Sequence, residues 1–257
     1  MLLCPNCKEE LKREEHSYKC VNRHTFDIAK QGYVNLSLKQ KKNTGDNALM
    51  VKARSQFLEK DYYDFMRQFV KKKIESFHID TLVDAGCGQG YYTKEFSKVV
   101  KNAYGIDLSK EAILHASKQD KQSLYLVGSL FDMPYADESI DCITSIFVPL
   151  GEKEITRCLK KGGYWIVVQP GPDHLWDLKE FLYETPYKNE EVEKEKDGFT
   201  LISQDCISKT LFVEDVWSLL EMTPYRYKTG REALERAKNS KGFDIQFEFM
   251  VSVWKKD

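Results

Sequence analysis

From residue 80 onward, short apolar runs alternate with stretches of helical spacing. The apolar runs predict strands over 81–85 (TLVDA), 103–107 (AYGID), 124–128 (LYLVG), 140–147 (IDCITSIF) and 164–169 (YWIVVQ). Helices are expected over 91–99, 110–118 and 152–161, with Ser109 as the N-cap of the second and Gly162-Gly163 ending the third. Alternating β and α elements imply a mostly parallel sheet covered on both faces. Two later runs, 206–213 (CISKTLFV) and 244–254 (DIQFEFMVSVW), are expected to pair antiparallel at the sheet edge. Upstream, 51–78 has helical spacing, with Phe57, Leu58, Tyr62, Phe65, Phe69, Val70 and Ile74 as its apolar face. The polar stretch 36–50 reads as a linker or mobile loop, and residues 1–35 are short, turn-rich and ligand-bearing. The division expected is 1–35, a linker and helical segment over 36–78, and a larger domain over 79–257.

Composition narrows the class. At 42% hydrophobic and 31% charged residues, the 257-residue chain can bury a sizeable core, which excludes long disorder. No apolar run approaches the ~20 residues of a membrane helix. Only Met1–Leu3 precede Cys4, so no leader is expected, and seven cysteines without one imply a reduced, cytoplasmic protein with no membrane partner. Residues 1–54 hold 11 Lys+Arg against 6 Asp+Glu, a net of +5, which leaves −6 on the other 203 residues. A basic front end on an acidic body suits an anionic partner meeting the front.

The front end also carries chemistry. Cys4, Cys7, Cys20 and His24 follow the pattern C-x2-C-x12-C-x3-H. Zinc needs four soft or borderline ligands brought together by tight turns, and both half-sites have that spacing. With all four positions filled, the site is structural, and so small a knuckle folds only with its metal. His16 lies mid-gap beside Glu14 and Glu15 and reads as exposed. Arg23, Lys30, Lys39, Lys41 and Lys42 are interleaved with Phe26 and Tyr33 just downstream. That mixture suits phosphate contacts and base stacking on looped RNA, or, for the two aromatics, a small core of the knuckle itself.

The first predicted strand runs into "DAGCGQG", in which Asp84 precedes Gly86, Gly88 and Gly90. Dinucleotide sites use G-x-G-x-x-G, and position 91 here is Tyr. The G-x-G-x-G spacing after an acid fits S-adenosylmethionine better. Glycines let the backbone approach the ligand, and Asp84 can hold its cationic amino group. Asp107, ending the next strand with Leu108 after it, is placed to accept hydrogen bonds from the ribose diol. Ser129 and Leu130, past the third strand, are expected at the adenine. Ser129 stands where many such enzymes have an acid. Together these features point to a Rossmann-like, class I S-adenosylmethionine-dependent methyltransferase with a small N-terminal zinc-binding domain.

"CPNC…YKCVNRHTFDIAKQGYVNL", "DAGCGQGYYT", "PGPDHLWDLK" and "EMTPY" together resemble the RlmA (RrmA, TlrB-like) family of bacterial 23S rRNA (guanine-N1)-methyltransferases, nearly end to end. The resemblance implies zinc on Cys4, Cys7, Cys20 and His24, and cofactor contacts from Gly88, Gln89 and Asp107. It also implies that Tyr63 and His174 close over the cofactor, which spacing alone does not indicate. It further implies methylation of a hairpin loop in domain II of 23S rRNA, with a homodimer. N1 of guanine must lose its proton, and Asp173, His174 and Asp205 are candidate bases, none of them decisive. After the fourth strand the chain reads "IFVPL", without the Asn-Pro-Pro-Tyr pattern used on exocyclic amines, which fits a ring-nitrogen target. Trp176, Phe181, Tyr183 and Tyr187 are candidates to stack on the base or to pack a lid. Two other readings stay open: a methyltransferase acting on a small molecule, and a zinc RNA-binding protein without catalysis.

Overall fold

The computed structural model describes residues 1–38 and 48–257. It opens with a three-stranded antiparallel sheet of β1 (Lys12–Glu14), β2 (Ser17–Lys19) and β3 (Thr25–Asp27). A two-residue strand, β4 (Val34–Asn35), precedes helices α1 (Ala48–Leu58) and α2 (Asp64–Ser76). The alternating region runs β5 (Thr81–Ala85), α3 (Thr93–Phe96), β6 (Asn102–Asp107), α4 (Lys110–Gln119), β7 (Leu124–Val127), β8 (Ile140–Ile146), α5 (Glu152–Cys158) and β9 (Leu159–Pro170). It ends with α6 (Trp176–Leu182), β10 (Phe199–Val213), α7 (Val216–Glu221), α8 (Arg231–Lys238) and β11 (Phe243–Lys256).

Eight strands form one sheet in the order β10-β11-β9-β8-β5-β6-β7-β4. From β9 to β4 all neighbours are parallel, and β11 is antiparallel to both β9 and β10. The late apolar runs thus form the expected antiparallel edge. Period-2 alternation sorts the central strands into two layers. Leu82, Cys142 and Ile166 face a core shared with α2, α6 and α7. Their neighbours Val83, Ile143, Trp165 and Val167 face a second core that contains Leu2, Cys4, Leu11 and Cys20. The N-terminal segment therefore does for this face what a covering helix does elsewhere. Its last strand, β4, extends the sheet beside β7, and Leu36 N–H continues the pairing to Val127 O at 2.9 Å.

Several elements differ from the sequence expectation. The 51–78 helix is two helices. Lys60 and Asp61 N–H bond back to Phe57 and Leu58 at 3.2 and 3.0 Å, and Asp61 takes φ +58°, closing α1 with a tight turn that keeps the apolar spacing. Beyond it, Met66, Val70 and Ile74 form the fully buried stripe of α2. The helix expected over 91–99 is only α3. Its continuation relaxes into i→i−3 turns, Lys98 to Glu95 and Val99 to Phe96. The helix expected over 152–161 stops at Cys158, because Leu159 already pairs with Ile140. Gly162-Gly163 accordingly bends β9 and does not cap α5. Gly162 has φ +72°, and a Cβ on Gly163 would meet Lys160 O at 2.9 Å. Ser109 does cap α4, its hydroxyl accepting from Ala112 N–H at 3.2 Å. The predicted linker packs at Leu36, residues 39–47, including Lys39, Lys41 and Lys42, lie outside the described residues, and α1 starts at Ala48. Among the described residues no helix is long and apolar enough to cross a membrane.

Candidate functional site

Three strands too short to hold a core bring Cys4, Cys7, Cys20 and His24 together, with all ligand atoms within 4.8 Å of one another. His24 Nδ1 lies 3.5 Å from Cys4 Sγ and 3.4 Å from both Cys7 Sγ and Cys20 Sγ, and Cys7 Sγ lies 3.6 Å from Cys20 Sγ. A tetrahedron with usual zinc bond lengths has S···S and S···N edges of about 3.5–3.8 Å, so the four groups fit the metal through His24 Nδ1. The Asn22 side chain and the Glu9 backbone stabilise the Cys7 thiolate, lowering its pKa to about 6, in the direction a ligand needs. His16 is exposed and outside the cluster, as expected. Tyr33 corrects both of its readings, since it packs on the larger domain and not in a core of the knuckle. It is buried against Cys87, Ile113 and Tyr125, so it cannot stack on RNA, while Phe26 is half-buried.

The glycine loop follows β5, with each glycine needed for a different reason. Gly86 (φ +77°) would place a Cβ 2.3 Å from Val148 Cγ1, and Gly90 (φ +79°) 2.7 Å from Tyr125 Oη. Gly88 (φ +52°) faces open space, where a Cβ would meet nothing within 4 Å among the described residues. Beside it the buried amide Nε2 of Gln89 has no hydrogen-bond partner among the described residues. An open cradle next to an unsatisfied buried donor is what a ligand with polar atoms would complete, and S-adenosylmethionine fits it. Asp107 at the end of β6 accepts Gly88 N–H at 3.0 Å and Ser109 N–H at 2.7 Å, so the carboxylate shapes the loop. Leu108 is 39% exposed beside it. Ser129 Oγ accepts from Phe131 N–H at 3.1 Å and shapes its own turn, with half-buried Leu130 next to it.

A cleft of about 550 Å3 lies between the ribbon and the ends of β6 and β7, lined among others by Pro5, Lys8, Leu36, Leu108, Ser129 and Asp132. Its floor is tied to the N-terminus by Leu3 N–H to Pro134 O at 2.9 Å and Ala136 N–H to Met1 O at 3.1 Å. Arg157 holds the same loop from beneath, donating to Met133 O at 2.9 Å and Tyr135 O at 2.6 Å.

Asp84 is buried, and both of its oxygens accept hydroxyl hydrogen bonds, from Thr93 at 2.5 Å and Thr144 at 2.8 Å. Neither threonine stands out in the sequence, although Thr93 lies one turn beyond the glycines. Burial pushes the Asp84 carboxyl up to about 6, against these two hydrogen bonds. A carboxyl raised in the fold favours the folded state at low pH, and that contribution fades as pH rises from the ordinary carboxylate range to about 6. A cationic amino group beside Asp84 favours the ionised form. The affinity for S-adenosylhomocysteine is therefore expected to rise from about pH 5 to about pH 7 while the stability of the free protein falls from about pH 4 to about pH 6. Calorimetric titrations across that range test this, and a flat affinity would remove Asp84 from the amino-group site.

Tyr63 and His174, 111 positions apart, do meet: both are buried, with ring centroids 6.4 Å apart in a cluster with Phe147 and Phe249. The loop bearing His174 is stitched to β11. Glu248 O accepts Gly171 N–H at 2.9 Å, Glu248 Oε1 accepts Asp173 N–H at 3.0 Å, and Glu248 N–H donates to His174 Nδ1 at 3.2 Å. Glu248 was not legible as a site residue, because only the sheet register brings it here. Burial drives the His174 pKa down to about 3. With Nδ1 accepting, the ring proton of the neutral form sits on Nε2, so His174 is a donor and not the expected candidate base. Asp173 is ion-paired with Lys188 at 2.8 Å, and Asp205 with Lys73 at 2.9 Å on the far edge of the sheet. Of the four aromatic candidates, Phe181 packs on Phe243 and Tyr183 on Tyr225, Trp176 is half-buried, and exposed Tyr187 lies over the Lys179 ammonium. Phe181 and Tyr183 therefore have their ring partners within the fold.

Comparison with known proteins is consistent with both centres. Residues 2–44 match the zinc-ribbon family described as "RlmA, N-terminal", and residues 83–167 match a methyltransferase domain. A Bacillus subtilis protein provisionally assigned as a 23S rRNA (guanine-N1)-methyltransferase is 31% identical over 95% of this chain and 93% of its own. The 23S rRNA (guanine(748)-N1)-methyltransferase of Streptomyces fradiae is 31% identical over 70% of this chain and 67% of its own. Among solved structures, a chain of the complex between the Haloferax volcanii Trm112 methyltransferase activator and a methyltransferase superposes with a TM-score of 0.52. It is 19% identical and covers 83% of this chain and 99% of its own, which supports the fold.

Proposed function

This chain belongs to the RlmA family of 23S rRNA (guanine-N1)-methyltransferases, and on that premise we propose that it transfers the methyl group of S-adenosylmethionine to N1 of a guanine in a hairpin loop of domain II of 23S rRNA. The observation that carries the reading is a cleft with the ribbon residues Pro5 and Lys8 in one wall and Leu108 and Ser129, just past the ends of β6 and β7, in the other. Residues 1–35 carry six Lys+Arg against five Asp+Glu, so the basic excess of the front end comes from Lys39, Lys41, Lys42, Lys52 and Arg54 against Asp46, and this stretch supplies the charge that draws in phosphates. In this reading residues 1–35 grip RNA, 36–78 join the parts, and 79–257 perform transfer in the cytoplasm. The homodimer implied by the family resemblance belongs to the same reading.

The sulfonium of S-adenosylmethionine supplies an already activated methyl group, so the protein's work is alignment and exclusion of water. Gly88 opens the cradle, Gln89 Nε2 offers it a buried donor, and Asp107 faces the ribose. Asp84, held by two threonine hydroxyls, faces the amino group. Tyr63 and His174 close the other side as a buried wall, and His174 presents Nε2–H as a donor. The target base must leave its stack to reach this wall.

Primer extension on 23S rRNA treated with the enzyme and S-adenosylmethionine tests the location. N1-methylation blocks Watson–Crick pairing, so one new stop in the domain II hairpin is expected. A stop in another domain would overturn that placement.

A further inference from the structure

Phe147 is the first residue after β8, and it combines three features that no packing requirement explains. Its backbone has φ +55°, a region bulky side chains avoid. Its ring is 39% exposed. It also abuts the buried wall, with centroids 5.4 Å from Phe249, 6.0 Å from Tyr63 and 6.4 Å from His174, the last at an interplanar angle of 29°. A glycine or asparagine would take this turn without strain. The turn is nevertheless fixed: Phe147 N–H donates to Val168 O at 3.1 Å, and the neighbouring Val148 fills the space that Gly86 leaves by lacking a Cβ. The glycine loop and the Phe147 turn therefore hold each other.

The sheet order places this ring relative to the cofactor. β5 lies between β6 and β8. Asp107 and Leu108 end the β6 side, which is the ribose and adenine side, so the methyl-bearing end of the cofactor points toward the β8 side, where Phe147 stands. Ligands in such sheets bind across the carboxyl ends of the strands at this reversal.

We infer that Phe147 is the platform on which the unstacked target guanine lies, its N1 edge turned toward the methyl group. The inference rests on the rRNA reading above. Stacking on an aromatic face is tolerant of base identity, so the platform supplies orientation while other contacts select guanine. The strained backbone keeps the ring in place before the base arrives, which lowers the cost of ordering it.

The test compares Phe147→Leu, which keeps apolar volume without a π face, with Phe147→Tyr and Phe147→Trp, which keep the face. For the leucine variant, kcat/KM for 23S rRNA is expected to fall about 10- to 100-fold. The tyrosine and tryptophan variants recover most of it, and all three keep S-adenosylhomocysteine affinity within about threefold and unchanged thermal midpoints. Leucine at the wild-type rate would overturn the platform. So would an equal loss of S-adenosylhomocysteine affinity, which would make Phe147 part of the cofactor pocket. The wild-type rate on rRNA in the same assay reports the underlying reading separately: if it is zero, that reading fails and the inference falls with it.

Discussion

Alanine at Gly86 is expected to abolish measurable S-adenosylhomocysteine binding and to cost the fold about 2–5 kcal/mol. Two costs add. The residue sits at φ +77°, where a Cβ crowds the following carbonyl, and that Cβ would lie 2.3 Å from Val148 Cγ1 and 3.0 Å from Val148 Cβ. Val148 is β-branched and has no stem to swing aside. Relief therefore has to come from the backbone, which moves the loop away from the cofactor. Gly88 provides the contrast. Alanine there meets nothing within 4 Å, so it costs the fold only the backbone strain at φ +52°, about 1 kcal/mol, yet its methyl projects into the cradle. Denaturant unfolding and calorimetric titration of both variants separate the two effects. Both should lose binding and only Gly86→Ala should lose much stability; Gly86→Ala binding like wild type would contradict this account of the loop.

Removal of zinc is expected to lower the thermal midpoint by about 10 °C or more and to weaken S-adenosylhomocysteine binding about tenfold. The three ribbon strands have three residues each and no core of their own. Leu2, Cys4, Leu11 and Cys20 instead share one core with Val83, Ile106 and Leu126 of the main sheet. When the ribbon unravels, that face of the sheet is laid open, and Pro134 and Ala136 lose their hydrogen bonds to Leu3 and Met1. The 129–137 loop is then held by Arg157 and Glu154 without its ties to the N-terminus. Coupling of this kind is reciprocal, so bound S-adenosylhomocysteine should slow zinc release to a chelator by a similar factor. The exposed Lys8–Asp132 pair adds little to the coupling. A chelated or Cys4→Ser protein with unchanged midpoint and unchanged affinity would show that the ribbon is independent of the cofactor site.

What could be read in the sequence was what short-range spacing encodes. The ligand pairs Cys4/Cys7 and Cys20/His24 close within tight turns, and the glycine loop is one turn long. The central strands announce themselves because β5 is buried on both faces as Leu82 and Val83. Features built by sheet register were not legible. β4 is two residues long and has no periodicity to detect, yet it carries the ribbon onto the sheet edge. Glu248 reaches the His174 loop only because β11 pairs with β9. The break at Asp61 preserves helical spacing on both sides, so the pattern passes over it. Phe147 read only as part of "IFVPL", a strand end, because neither its strain nor its exposure is a property of composition.

The chain joins a zinc ribbon to a cofactor loop to methylate guanine N1 in 23S rRNA. The most direct measurement is incubation of the zinc-loaded protein with methyl-labelled S-adenosylmethionine, unmodified 23S rRNA and a small-molecule extract, followed by nuclease digestion and mass spectrometry. Label is expected in 1-methylguanosine alone. Label in small molecules with unlabelled RNA, or in any other nucleoside, would contradict it.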